Sequence, residues 1–281
     1  MTSTTSITST TSTTVTAGST EPRATLGHAL HAEWTKLRTL RTTAYLVLFM
    51  VVVGSAYGGV FSWIDGTGYP SLLGSDRSAF DPTATALRGY AITQLAAGFL
   101  GVHVIASEYS TGMIRTSLTV VPRRGRLLAA KALVVTAVVL VAGVLSGFGG
   151  FFAGQQVLAA NHAPHVALGD PQVLRAVLGT GLYLALVCLL GVGIGALTRA
   201  PVGAFALLAA LTLIVPATAA NLPGTAGRLV KEFWPSAAGS RVTAVVPLED
   251  TLGPWAGLGV LAAFVALLLL AGFEAVRRRD P

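Results

Sequence analysis

Six apolar stretches, at 44–63, 86–107, 127–158, 172–198, 200–220 and 255–276, fill most of a 281-residue chain, and each has at least 20 residues. At 1.5 Å of rise per residue a helix of that length crosses a hydrocarbon core roughly 30 Å thick. No water is present there to satisfy peptide groups, so each stretch must pair its own backbone as a helix. The expected fold is an all-α integral membrane protein of six transmembrane helices. With 53% hydrophobic and 11% charged residues and a mean hydropathy of +0.69, the chain departs from ordinary soluble domains, in which about 25% of residues are charged.

A net charge of +7 would point to nucleic acid in a soluble protein, but here the positions of the charges matter more. If both termini are cytoplasmic, six of the 19 basic residues, Arg77, Arg88, Arg175, Arg228, Lys231 and Arg241, fall on the outer side. Acidic residues at 65, 76, 81, 170, 232, 249 and 250 dilute them there. The other 13 basic residues lie inside, and that asymmetry predicts a multi-pass protein of the cell membrane with both termini in the cytoplasm and no nucleic-acid partner.

Residues 1–25 are Ser/Thr-rich with little to bury, and read as a disordered cytoplasmic tail rather than a signal peptide, because no apolar core precedes Ala44. Over 26–43, Leu26, Leu30, Trp34 and Leu37 recur at helical spacing, with His31, Lys36, Arg38 and Arg41 mostly off that stripe. This predicts an amphipathic interfacial helix, with Trp34, Lys36, Arg38 and Arg41 at the headgroups. Glu33 falls near the apolar stripe and needs a partner, Lys36 or another segment. Residues 44–281 form the six-span domain.

Between the second and third spans, residues 108–126 carry Met113, Ile114, Leu118 and Val121 at a helical period, then Pro122 and Arg123-Arg124-Gly125 as a stop and turn. A short cytoplasmic helix of that kind suits docking to another chain. Its arginines also suit simple retention by anionic lipid.

Several runs, in their order relative to the spans, resemble the permease subunits of ABC transporters of the type-2 exporter class. They are Glu33-Trp34-Thr35-Lys36-Leu37-Arg38, Glu108-Tyr109 with Thr111-Gly112 and Arg115, Pro122-Arg123-Arg124-Gly125-Arg126 leading to Lys131, Trp234-Pro235-Ser236-Ala237-Ala238-Gly239, and the closing Arg277-Arg278-Arg279-Asp280. The resemblance implies that 108–126 is a coupling helix inserted into an ATP-binding cassette subunit, with Glu108, Tyr109, Thr111, Gly112, Ile114, Arg115, Pro122 and Arg124 coupling to the ATPase. It implies further partners, a second permease copy or a related permease and membrane lipid. ATP and Mg would then bind the partner subunit, with no cofactor on this chain.

The sequence agrees that the chain is not itself an ATPase, since no Gly-Lys pair exists from which to build a phosphate loop. Gly191-Val192-Gly193-Ile194-Gly195 lies inside an apolar span and reads as helix packing. Gly191 with Gly195, Gly143 with Gly147 and Gly150 with Gly154 form small-xxx-small pairs. Arg88, His103, Lys131, Arg175 and Glu274 lie close enough to span ends to snorkel, leaving an uncharged membrane centre. That disfavours a proton-coupled antiporter, which needs a titratable group near the midplane, and suits an apolar or amphiphilic cargo.

Neither His-Glu-x-x-His nor Gly-x-Ser-x-Gly occurs. His162, His165 and Asp170 read as solvated loop residues rather than a metal site, and Cys188, the only cysteine, as a packing residue. The outer segment 221–250, with Pro216 and Pro223 expected to break the preceding helix, is either re-entrant, as in the related permeases, or an amphipathic loop. The reading is therefore a permease subunit of an ABC exporter and not an enzyme. The alternatives are an ion-gradient-driven secondary transporter and, behind it, a membrane scaffold or intramembrane enzyme.

Overall fold

The computed structural model describes residues 26–110, 124–218, 224–247 and 251–278. Every regular element among them is helical. Helix α1 (Leu26–Thr39) is followed by α2 (Arg41–Gly68), the short α3 (Ser75–Ser78) and α4 (Pro82–Leu87), and α5 (Tyr90–Ser110). Then come α6 (Arg124–Ala160), α7 (Val173–Thr198) and α8 (Pro201–Thr218). The chain ends with α9 (Gly224–Phe233), α10 (Pro235–Ser240), a 3₁₀ turn at Arg241–Thr243 and α11 (Pro254–Arg278). Six of these helices, α2, α5, α6, α7, α8 and α11, are long and apolar enough to cross a membrane.

Burial sorts the six. In α7, 78% of the most apolar window is buried, and Tyr183, Leu184, Val187, Cys188 and Leu190 pack at the centre of the core. Helices α5 and α6 flank it with 61% and 56%, whereas α2 and α8 at 17% and α11 at 22% form the outer layer. Their exposed faces carry Leu48, Val52, Val202, Leu267 and Leu270, apolar surface that suits lipid rather than water.

Close approach of backbones holds the inner layer. A Cβ at Gly191 of α7 would lie 2.2 Å from the Gly98 carbonyl oxygen of α5, and one at Gly147 of α6 would lie 2.8 Å from the Val177 oxygen of α7. Gly143 faces Gly181, Gly150 and Gly154 face Ala86 of α4, and Gly195 faces Val102. Backbone atoms cannot swing aside as a flexible side chain can. Gly191→Ala is therefore expected to lose about 1–3 kcal/mol through overpacking. Gly203→Ala in α8, whose new carbon would meet only Ala200 at 4.0 Å, should be neutral or slightly stabilising from helix propensity. Thermal unfolding of the two purified variants separates these outcomes, and equal melting temperatures would refute the packing account.

Beyond shifts of a few residues at span ends, three features differ from those read in the sequence. The first helix ends at Thr39 and the chain is extended at Leu40 (φ −78°, ψ 116°), so the interfacial segment and the first span meet at a bend, not near residue 43. The second span begins at Tyr90 rather than at 86. Ala86 and Leu87 belong to α4, a separate turn started by Asp81 as an N-cap with Pro82 in the first helical position. The third difference is at Pro216, which does not break α8. A π-helical turn at Ala210–Ile214 lets the Val215 N–H reach the Ala210 carbonyl, and helix continues to Thr218.

The alternating helices place α1, the end of α5, the start of α6, the α7–α8 connection and the end of α11 at one end of the bundle, here the proximal end. The distal end carries α3, α4, the 161–172 connection, α9, α10 and the 3₁₀ turn after it. Contacts join the distal pieces: Gln155 Nε2 of α6 donates to the Pro82 carbonyl (3.0 Å) and its Oε1 accepts from the Val166 N–H (2.9 Å).

Candidate functional site

At the proximal end, α1 lies against α6. Ala29, Glu33 and Leu37 are spaced four apart, so they share one helical face, and all three are buried. The small Ala29 lets α1 approach Leu127 and Ala130 of α6, with Leu30 packed beside them. One turn on, Lys131 Nζ donates to Glu33 Oε1 at 2.7 Å, with the lysine side chain 2% and the glutamate side chain 10% exposed. Removal of Lys131 would leave the Glu33 carboxylate buried without this cation.

This result corrects two sequence-based expectations. Lys131 does not snorkel outward but is enclosed and paired. The face of α1 that packs is Ala29-Glu33-Leu37 with Leu30, while Trp34 remains 48% exposed. Lys36 is half-buried, and Arg38 and Arg41 are exposed. Helix α6 spans 37 residues, about 55 Å at 1.5 Å each. It is longer than a hydrocarbon core, so the pair, two turns from its start, need not lie at membrane depth.

His103, Val104 and Ser107 of α5 close the other side, and with Leu37, Leu40, Glu33 and Lys131 they line a cavity of about 20 Å³. That is room for roughly one water. Helix α5 continues from here through Glu108 and Tyr109 to Ser110, and Arg124 opens α6. The other residues of the anticipated coupling element, Thr111, Gly112, Ile114, Arg115 and Pro122, lie outside the described residues, as does the 1–25 tail. Ser110 and Arg124 thus lie at the same end of the bundle as the helix that the buried ion pair anchors.

A second polar cluster orders the distal end. Asp81 Oδ1 accepts from the Thr83 and Ala84 N–H groups, each at 2.9 Å, capping α4. Its Oδ2 accepts from the Val245 and Val246 N–H groups at 2.6 and 2.8 Å. From the opposite side Arg175 of α7 donates to the Val242 carbonyl at 2.9 Å and the Ala244 carbonyl at 2.8 Å. The segment after α10 is thus gripped by an acid through its N–H groups and by a base through its carbonyls. Arg88 likewise pairs with Asp65 of α2 at 3.0 Å, and Thr85 donates to the same carboxylate. Sequence reasoning treated Asp81 only as a charge diluting nearby arginines, although Asp-Pro ahead of a helix is an N-cap signature.

Within the 221–250 region, Ala238 and Val242 are fully buried. A Cβ at Gly239 would strike Leu261 of α11, and one at Gly179 of α7 would strike Val242. Leu261 is seven residues into α11, about 10 Å from its start, so Pro235–Ser240 descends alongside the long helices rather than lying across their ends.

No family model matches the chain, and no curated protein matches it either.

Proposed function

We propose that this chain is the membrane-spanning subunit of an ATP-driven exporter of the ABC type, paired with a second permease copy or a related one and with two ATP-binding subunits. The main support is the proximal end, where the buried Glu33–Lys131 pair ties α1 to α6 at the end where α5 finishes, at Ser110, and α6 begins, at Arg124. A push at that end would be delivered to two spans and an anchored helix together. Lys36, Arg38, Arg41, Arg126, Arg199 and Arg277 are also at this end, which favours a cytoplasmic proximal face in the cell membrane.

On this reading ATP and Mg bind the partner, the segment 108–126 is the coupling helix, and α1 lies at the membrane surface. The cargo is apolar or amphiphilic, since Glu33 and Lys131 are the only buried charged residues among the described ones, and they are paired with each other. Co-purification with an ATP-binding cassette subunit, then vanadate-sensitive ATPase activity in liposomes, tests the proposal. Glu108→Ala and Arg115→Glu are expected to lower cargo-stimulated ATPase activity severalfold while membrane insertion is unchanged. Failure of any such subunit to associate would overturn the proposal and favour an ion-gradient-driven transporter.

A further inference from the structure

Near the distal end a cavity of about 180 Å³ opens between α5, α7, α8 and α10. Tyr90, Gln94, Tyr183, Thr212, Ser236 and Ser240 bring polar groups into a lining that is mostly apolar, and no charged residue contributes. Gln94 and Tyr183 lie about 6 and 15 Å from the distal ends of their helices, at depths where polar side chains in a membrane helix bundle call for a reason.

The hydrogen bonds define what the cavity can offer. Tyr183 Oη donates to Gln94 Oε1 at 2.6 Å, and the Tyr90 ring packs edge-on against Tyr183 with centroids 5.3 Å apart. Gln94 Nε2 donates to the Ala91 carbonyl at 3.0 Å, which uses one of its two N–H groups. Thr212, Ser236 and Ser240 spend their protons on the carbonyls of Leu208, Leu211 and Ala237. An amide N–H and several hydroxyl oxygens remain, so a complementary ligand must both accept and donate.

The π-turn of α8 is an independent observation at the same place. Because the Val215 N–H bonds to Ala210 and Pro216 has no N–H, the Leu211 carbonyl is released from the helix ladder. Trp234 Nε1 takes it at 2.7 Å and Ser236 Oγ at 3.1 Å, which fixes α10 against the wall formed by Thr212, Leu213 and Pro216. Such turns concentrate at functional sites.

We infer that this cavity binds the uncharged, hydroxyl- or amide-bearing head of an amphiphile, which is the cargo class of the exporter proposed above; the word cargo rests on that reading, and the binding site does not. A charged head would be desolvated there with no counter-charge. A bare hydrocarbon would leave the Gln94 N–H unmet.

The test uses the full-length chain in lipid nanodiscs and three photoactivatable probes sharing one acyl chain, headed by glycerol, a carboxylate or trimethylammonium. The glycerol probe is expected to label peptides containing 90–94 and 212–216, to be competed by unlabelled monoacylglycerol, and to exceed the charged probes at least about tenfold. Gln94→Leu should reduce that labelling about tenfold, and Ala91→Trp, which fills the mouth, should abolish it. The head-group comparison is made on the unaltered protein, so it decides the matter even where a variant misfolds. Equal labelling by all three heads, or glycerol labelling unchanged in folded variants, overturns the site. Head-group selection by a chain that binds no ATP-binding subunit would keep the cavity and remove the exporter reading. A coupled complex with unselective labelling would do the reverse.

Discussion

Lys131→Ala is expected to destabilise the protein by about 3–5 kcal/mol, the cost of leaving a buried carboxylate without its cation. Glu33 lies between Ala29 and Leu37 on the buried face of α1, so it cannot leave the interface with α6 without lifting α1. Glu33→Ala removes the same buried ion pair and should destabilise in the same direction. The paired change Glu33→Gln with Lys131→Met should recover much of the loss, since replacing both partners of a buried pair is often near neutral. Thermal unfolding in detergent measures all three. A local readout accompanies it: a cysteine at Ala29, 3% exposed in the native protein, should react slowly with an aqueous maleimide and at least about tenfold faster in the Lys131→Ala background. A melting temperature and a labelling rate both equal to wild type would show that the pair does not hold α1.

At the distal end, Asp81→Ala should cost about 3 kcal/mol. The N-cap of α4 accounts for about 1 kcal/mol of that. The remainder comes from the Val245 and Val246 N–H groups, which lose an ionised acceptor. Asp81→Asn keeps an oxygen for the cap but puts a donor where those two N–H groups need an acceptor, so it should fall roughly midway. Arg175→Met removes the opposing grip on Val242 and Ala244, and the two substitutions act on one segment. Their effects should therefore be non-additive by about 0.5–3 kcal/mol in a double-mutant cycle. Strict additivity would mean that the acid and the base act separately. Because residues 241–246 continue directly from α10, loosening them should also loosen the wall of the distal cavity.

These two clusters show how far the residues could be read without the fold. Glu33 was recognisable as a carboxylate needing a partner, because its position on the α1 stripe was periodic and local. Its partner is 98 positions away, and only the docking of α1 on α6 selects Lys131 over the adjacent Lys36. Asp81 and Val245 are 164 apart, and nothing in either local sequence specifies the other. The π-turn was equally hidden: Pro216 reads as a breaker unless Trp234 and Ser236 are known to receive the carbonyl it orphans. Thr111, Gly112, Ile114, Arg115 and Pro122, expected from the resemblance to couple to an ATPase, lie outside the described residues.

What the sequence determined by itself is the set of six long helices. Peptide groups in apolar surroundings must bond within their own segment, so length and apolar composition suffice to specify each one. Small residues such as Gly147 and Gly191 could be recognised as contact points for the same local reason. Only the tertiary structure decided which polar groups meet: Glu33 with Lys131, Asp81 with the 245–246 backbone, and Gln94 with Tyr183. Those pairings depend on how helices rotate and dock, and that is settled by packing between segments far apart in the chain, not by the periodicity of any one of them.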